Sequence, residues 1–164
     1  MVDVYIGIGS NIEPEKNFDA AYSLLTKTYP SIKFSRTFRS SAVGFVGDDF
    51  YNSVAKFSIN LHNDSLLETL QTELNRLKKI ENKLGRLRGD KKFSSRVMDI
   101  DILLFGDLIC EQPIQLPRGE ITENAYVLWP MAEIAPNLKH PTENKSYSEL
   151  WENFDKSSQK LVVL

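Results

Sequence analysis

The chain has 164 residues, 41% hydrophobic and 26% charged, enough to bury a core, and residues 1–164 read as a single domain. A formal charge of -2 excludes a general binder of nucleic acid or membrane surfaces, which needs excess cationic charge on one face. One cysteine, Cys110, cannot close an intramolecular disulfide, no apolar run is long enough to span a bilayer, and the opening M-V-D-V-Y lacks the basic start of a signal peptide, so a cytoplasmic protein, expected to be a monomer, is the default.

In chain order, residues 4–8 form a short apolar run with glycines, a buried first strand that turns at Gly9-Ser10-Asn11. Its G-I-G-S-N is not a G-x-G-x-x-G, and close packing of backbone against a neighbouring strand explains the glycines as well as a phosphate loop does. Pro14 suits the first turn of a helix, on which Phe18, Ala21, Tyr22 and Leu25 recur at helical spacing until Tyr29-Pro30. Residues 32–38 alternate as a half-buried strand, residues 40–49 read as an ordered loop, and residues 50–60 form another strand with Phe50, Asn52 and Val54 on one face. An aromatic beside an amide can hold a flat heterocycle; equally, the Phe can be core and the Asn a turn cap.

Ser65-Leu-Leu-Glu68 is a capping box that opens the longest helix, with Leu66, Leu67, Leu70, Leu74, Leu77, Ile80 and Leu84 as its apolar stripe and Gly85 as its end. Glu81 sits at the margin of that stripe, where a lysine one turn away is its ordinary partner. Nine of the twenty Lys and Arg residues fall between Arg76 and Arg96, either an anion site or a solvated helix end. Residues 86–92 read as a basic, glycine-containing loop. Further on, residues 108–110 suggest a hairpin return, residues 125–135 a strand turning into a short helix at Trp129-Pro130, and residues 146–154 a terminal helix. His62 and His140 stand isolated and read as surface residues.

The most informative stretch, residues 94–107, reads S-S-R-V-M-D-I-D-I-L-L-F-G-D. Its β-branched residues and terminal Gly106 suit a strand. Alternation puts Asp99 and Asp101 on one face and Met98, Ile100, Ile102 and Leu104 on the other. Two neighbouring carboxylates repel each other unless a cation sits between them, and Mg2+ is the obvious hard cation. A solvated strand end, or a pair of partners for arginines, accounts for the same pattern.

The order strand, helix, strand, strand, helix, strand is the split β-α-β arrangement of a ferredoxin-like antiparallel sheet. Two classes of function fit it. One is phosphoryl chemistry, with Mg2+ on the carboxylates and Arg86, Arg88, Arg96 and Arg118 neutralising charge on the transferred group. The other is an RRM-like RNA-binding module, which would show aromatics where this chain has paired Asp.

Five segments in order, YIGIGSN (5–11), FYN (50–52), GRLR (85–88), SRVMDIDILLFG (95–106) and VLWPMAEIAP (127–136), closely resemble the 6-hydroxymethyl-7,8-dihydropterin pyrophosphokinase family of folate biosynthesis. The resemblance implies an α+β fold, a ferredoxin-like α/β/α sandwich with a mainly antiparallel central sheet, and transfer of the β,γ-diphosphate of ATP to the pterin hydroxymethyl group with release of AMP. Its substrates would be ATP and hydroxymethyl-dihydropterin, with no nucleic-acid or membrane partner. By position, Asp99 and Asp101 would hold two Mg2+ ions bridging ATP phosphates, Arg86 and Arg96 would assist transfer, and Glu81, Arg88 and Phe93 would lie near the nucleotide. Phe50 and Tyr126 would stack on the pterin, Asn52 would bond its edge, and the backbone around Ser40, Ser41 and Val43 would complete the pocket. Segments 43–49 and 86–93 match the loops that close over ATP.

Four positions depart from that pattern. Arg118 stands where a phosphate-contacting His is usual, Asn124 where an Arg precedes the second aromatic, and Ser94-Ser95 where G-P precedes Arg96. The metal pair, the amide and both aromatics are kept, whereas the phosphate-facing positions have gained one cation and lost another. A paralogue that binds pterin and nucleotide with altered or no turnover is the alternative.

Overall fold

The computed structural model describes residues 1–40, 49–87 and 98–164, leaving aside the side chains of residues 86 and 87. Strand β1 (Val2–Ser10) lies at the centre of an antiparallel sheet, paired on one side with β4 (Phe50–Ile59) and on the other with β5 (Asp99–Phe105). The sheet continues from β4 to β3 (Phe38–Ser40) and then β6 (Leu161–Val163), while the two-residue β2 (Lys33–Phe34) also pairs with β4. The order β5-β1-β4-β3, with α1 (Pro14–Thr28) after β1 and α2 (Leu66–Leu87) after β4, is the ferredoxin-like arrangement expected from the sequence.

Alternation along β1 divides the core. Val2, Val4, Ile6 and Ile8 face α1 and α2, where they meet Phe18, Ala21, Leu25, Leu70, Leu77, Ile80 and Leu84. Complete burial of one such aliphatic side chain contributes about 1.5–3 kcal/mol. On the opposite face, Tyr5, Val54, Leu103 and Leu104 pack under α3 (Glu120–Glu123), α4 (Ala125–Ile134) and α5 (Tyr147–Glu152). Helices thus cover both faces of the sheet.

The long helix opens as its sequence suggests, with the Ser65 hydroxyl accepting the Glu68 N–H at 3.2 Å; the Glu68 carboxylate turns to Asn63 instead of completing the box. Leu67 leaves the apolar stripe and is 53% exposed. The helix also runs through Gly85 to Leu87, because a single glycine costs a helix only about 1 kcal/mol and its neighbour Leu84 is fully packed.

Other expectations fail for identifiable reasons. Residues 32–38 are not one strand. Phe34 pairs with Ala55 and Phe38 with Asn52, so this side carries one residue more than β4, and Ser35 absorbs it by exchanging bonds with Val54 through both its backbone and its hydroxyl. Residues 125–134 are helical throughout despite Pro130, since Ala125, Val127, Leu128, Met131 and Ala132 are all buried. A helix apolar on every side cannot be told from a strand by periodicity. Residues 108–110 form no return strand, only a bridge between Cys110 and Leu116 after the turn at Gly106, whose φ of +57° favours glycine. His140 is buried, not a surface residue: its Nδ1 accepts the Thr142 and Glu143 N–H groups at 3.2 and 3.1 Å, and burial lowers its pKa.

Candidate functional site

The helices over the second face leave part of it open, and the gap is a cleft of about 730 Å3. Its floor is set by register. Gly9 of β1 stands between Asp99 on β5 and Asn52 on β4, and Gly7 between Asp101 and Val54. With strands spaced about 4.8 Å apart, Asp99 and Asn52 lie about 10 Å apart across a strand that contributes no side chain between them. A Cβ on Gly9 would sit 2.8 Å from Asn52 Oδ1, so the buried amide needs that glycine. The close-packing reading of the G-x-G is the one the structure supports.

Asp99 and Asp101 both open onto this cleft, Asp99 half-buried and Asp101 exposed. Alternation holds as far as Ile102, which faces the helical core with Ile100. Leu104 does not follow them. The register against β1 slips between Tyr5 and Ile6, so a bulge at Leu103 sends Leu104 to the opposite layer and Phe105 into the place expected for it.

Behind the carboxylates, Glu81 reaches from α2 and accepts the Ile100 N–H at 3.2 Å, with Lys78 4.0 Å away. That bond covers an N–H of a sheet-edge strand. Burial, with the Asp101 and Asp99 charges adding to it, pushes Glu81 up to about 7 against the pull of the Ile100 N–H and of Lys78. Glu81 does not itself line the cleft.

The other end of the cleft is aromatic. Phe50 on β4 and Tyr126 in the first turn of α4 line it together with Ser40 and Asn52. Burial and then Glu120 raise the Tyr126 hydroxyl pKa, while the 2.9 Å bond from Asn124 Nδ2 lowers it. Arg118 is anchored by its own N–H to the Leu103 carbonyl and pairs with Glu120 at 3.0 Å. Ser41, Val43, Arg88, Phe93 and Arg96 lie outside the described residues, as does the side chain of Arg86.

Sequence reasoning overlooked Glu120, which faces Arg118, and the tail residues Ser158, Gln159, Lys160 and Leu161, which line the cleft although they follow the last motif. No local pattern signals them, because they arrive by tertiary pairing. Among the described lining residues, Asp99, Asp101 and Glu120 face Arg118 and Lys160, a balance that cannot by itself hold a polyphosphate. The described residues also include no group of three or more His, Cys, Asp or Glu able to cage a metal. A pair of carboxylates open to a cleft instead suits Mg2+, which keeps several ligand positions for water and phosphate oxygen.

Sheet order, helices on both faces and this cleft define a ferredoxin-like α/β/α fold with an open cleft on the less covered face. Residues 5–136 match the model of the family described as 7,8-dihydro-6-hydroxymethylpterin-pyrophosphokinase (HPPK). The chain is 33% identical over 143 residues to the 2-amino-4-hydroxy-6-hydroxymethyldihydropteridine pyrophosphokinase of Pseudomonas aeruginosa, covering 84% of this chain and 83% of that one. It is 30% identical over 169 residues to the Haemophilus influenzae enzyme of the same name, covering 100% and 99%. Among solved structures, Plasmodium falciparum HPPK-DHPS superposes with a TM-score of 0.67 over 92% of this chain at 13% identity, a likeness of fold; this chain spans 44% of that longer one. The protein belongs to the HPPK family.

Proposed function

We propose that the protein transfers the β,γ-diphosphate of ATP to the hydroxymethyl oxygen of 6-hydroxymethyl-7,8-dihydropterin, releasing AMP, as a Mg2+-dependent step of folate biosynthesis carried out within one domain. The observation that carries the proposal is the row Asp99, Gly9, Asn52 across the sheet floor. It sets a carboxylate end and an aromatic-flanked amide end about two strand spacings apart, roughly 10 Å, on the scale of a pterin hydroxymethyl group meeting a phosphate chain.

In this reading, Phe50 and Tyr126 flank the flat ring, and Asn52, offering both a donor and an acceptor, bonds its edge. Ser40 brings β3 to the same end of the cleft. Asp99 and Asp101 would hold Mg2+, which when bound supplies neutralising charge to the phosphate oxygens and aligns them for displacement. Arg118, held by Glu120, offers a further cation toward the phosphates, and Arg86 and Arg96 are assigned there from sequence. In the displacement the pterin oxygen bonds to the β-phosphorus, the bond from that phosphorus to the α,β-bridging oxygen breaks, AMP departs, and the hydroxyl proton is lost. What favours turnover over a merely binding paralogue is that the carboxylate pair, the amide and both aromatics meet in one cleft.

The test is product analysis. Purified protein given ATP, Mg2+ and hydroxymethyl-dihydropterin should yield AMP and the pterin diphosphate in equal amounts; ADP as the nucleotide product, or no product, would overturn the assignment.

A further inference from the structure

The family match ends at residue 136, yet the last residues of the chain form part of the cleft wall. They arrive there in an ordered way. Asp155 accepts the N–H and hydroxyl of Ser157, Lys156 lies 4.7 Å from the Trp151 ring centre, and β6 then pairs with β3 so that Leu161 stands opposite Ser40. Between that turn and that strand comes Gln159, half-buried, whose side chain bridges two helices. Its Oε1 accepts the Ala125 N–H at 2.7 Å, and its Nε2 donates to the Glu123 carbonyl at 2.9 Å.

The first N–H groups of a helix have no partner within it and need one elsewhere. The residue before α4, Asn124, makes no side-chain cap, and its Nδ2 donates instead to the Tyr126 hydroxyl at 2.9 Å. Gln159 therefore caps α4 from the far end of the chain, and through Glu123 it also holds the end of α3. The junction pinned in this way carries Asn124 and Tyr126, and Ala125 between them is fully buried.

We propose that Gln159 is a positioning residue of the pterin pocket: by bonding both sides of the α3–α4 junction it fixes where the Tyr126 ring stands relative to Phe50. The proposal rests on the pterin reading above. It assigns the C-terminal segment a part in substrate affinity and predicts that the loss on disturbing Gln159 runs through Tyr126.

The test uses the full chain and two ligands, 6-hydroxymethylpterin followed by its fluorescence and α,β-methylene-ATP with Mg2+ followed by calorimetry. Gln159→Met keeps the length of the side chain and removes both bonds. It should weaken pterin binding roughly five- to tenfold, the scale of one or two hydrogen bonds, and leave nucleotide binding within about twofold. Gln159→Glu keeps the acceptor for Ala125 but sets a carboxylate oxygen against the Glu123 carbonyl, so it should weaken pterin binding about as much as Gln159→Met. In a Tyr126→Ala background, Gln159→Met should have no further effect on pterin, the non-additivity expected of residues acting as one unit. Pterin affinity unchanged in Gln159→Met, pterin and nucleotide affinity falling together, or additive losses with Tyr126→Ala would each overturn the inference and leave the pterin reading standing. A wild-type protein that fails to bind pterin would sink both.

Discussion

The two faces of the central sheet are built on opposite terms. Toward α1 and α2, β1 presents Val2, Val4, Ile6 and Ile8, all buried and all meeting apolar partners. Toward the cleft the same strand presents Gly7 and Gly9, and its neighbours present Asn52, Asp99 and Asp101. The first face maximises area removed from water. The second gives up that stabilisation around the cleft so that a polar floor can form, and the closed face must hold the strands in register while it does. A strand whose two faces differ this much declares which side is open to ligand.

The contrast can be broken most forcefully at Asp101. Asp101→Ala, and likewise Asp99→Ala, should lower kcat/KM at least about a thousandfold, as loss of a metal ligand that acts on the reacting phosphates does, with the thermal unfolding curve essentially unmoved. Near-normal turnover in either variant would show that the open face does not work as described. One residue further along the same strand the effects should invert. Ile102→Ala should cost about 2–5 kcal/mol in denaturant unfolding while the fraction that remains folded keeps its affinity for pterin.

Gly9 lies where the two demands meet. Gly9→Ala drives a Cβ to within 2.8 Å of Asn52 Oδ1, and the amide must move. Pterin KM should rise about tenfold, the loss of one well-placed hydrogen bond, with kcat much less affected. The smallest effect belongs to the covered part of the second face. His140 is held neutral there, its pKa lowered by burial below the ordinary 6.5. The unfolded chain therefore takes up its proton first as pH falls, so the stabilisation is present above 6.5 and is lost as pH drops through the lowered value. Wild type should lose stability more steeply than His140→Gln over that fall, a difference readable from urea midpoints at a series of pH values.

The same contrast explains what the sequence could and could not disclose. Strand β1, β4 up to Phe57, β5 up to Ile102, and both long helices carry regular periods because one side of each is mostly apolar, and that regularity is legible without a structure. Leu104 breaks it, since a bulge at Leu103 is a matter of register with another strand. The helix around Pro130 hides for the reverse reason, being apolar on every side. Of the site, the carboxylate pair, Asn52 and Phe50 were visible as residue types at strand spacing, while Tyr126 was visible only through family resemblance. Glu120, Gln159 and Lys160 were not visible at all, because partners brought together by folding leave no local pattern. His140 misled because a lone polar residue beside a proline gives no sign that two backbone N–H groups will close on its ring.

The most direct test of the account is a pair of titrations on wild type, Asp99→Ala and Asp101→Ala. A non-hydrolysable ATP analogue and 6-hydroxymethylpterin are each added with Mg2+ and again with a chelator. The account predicts that nucleotide uptake by wild type requires Mg2+ and vanishes in both variants, whereas pterin binds all three proteins with or without the metal. Nucleotide binding of equal strength in the presence of chelator, or by either variant, would contradict it.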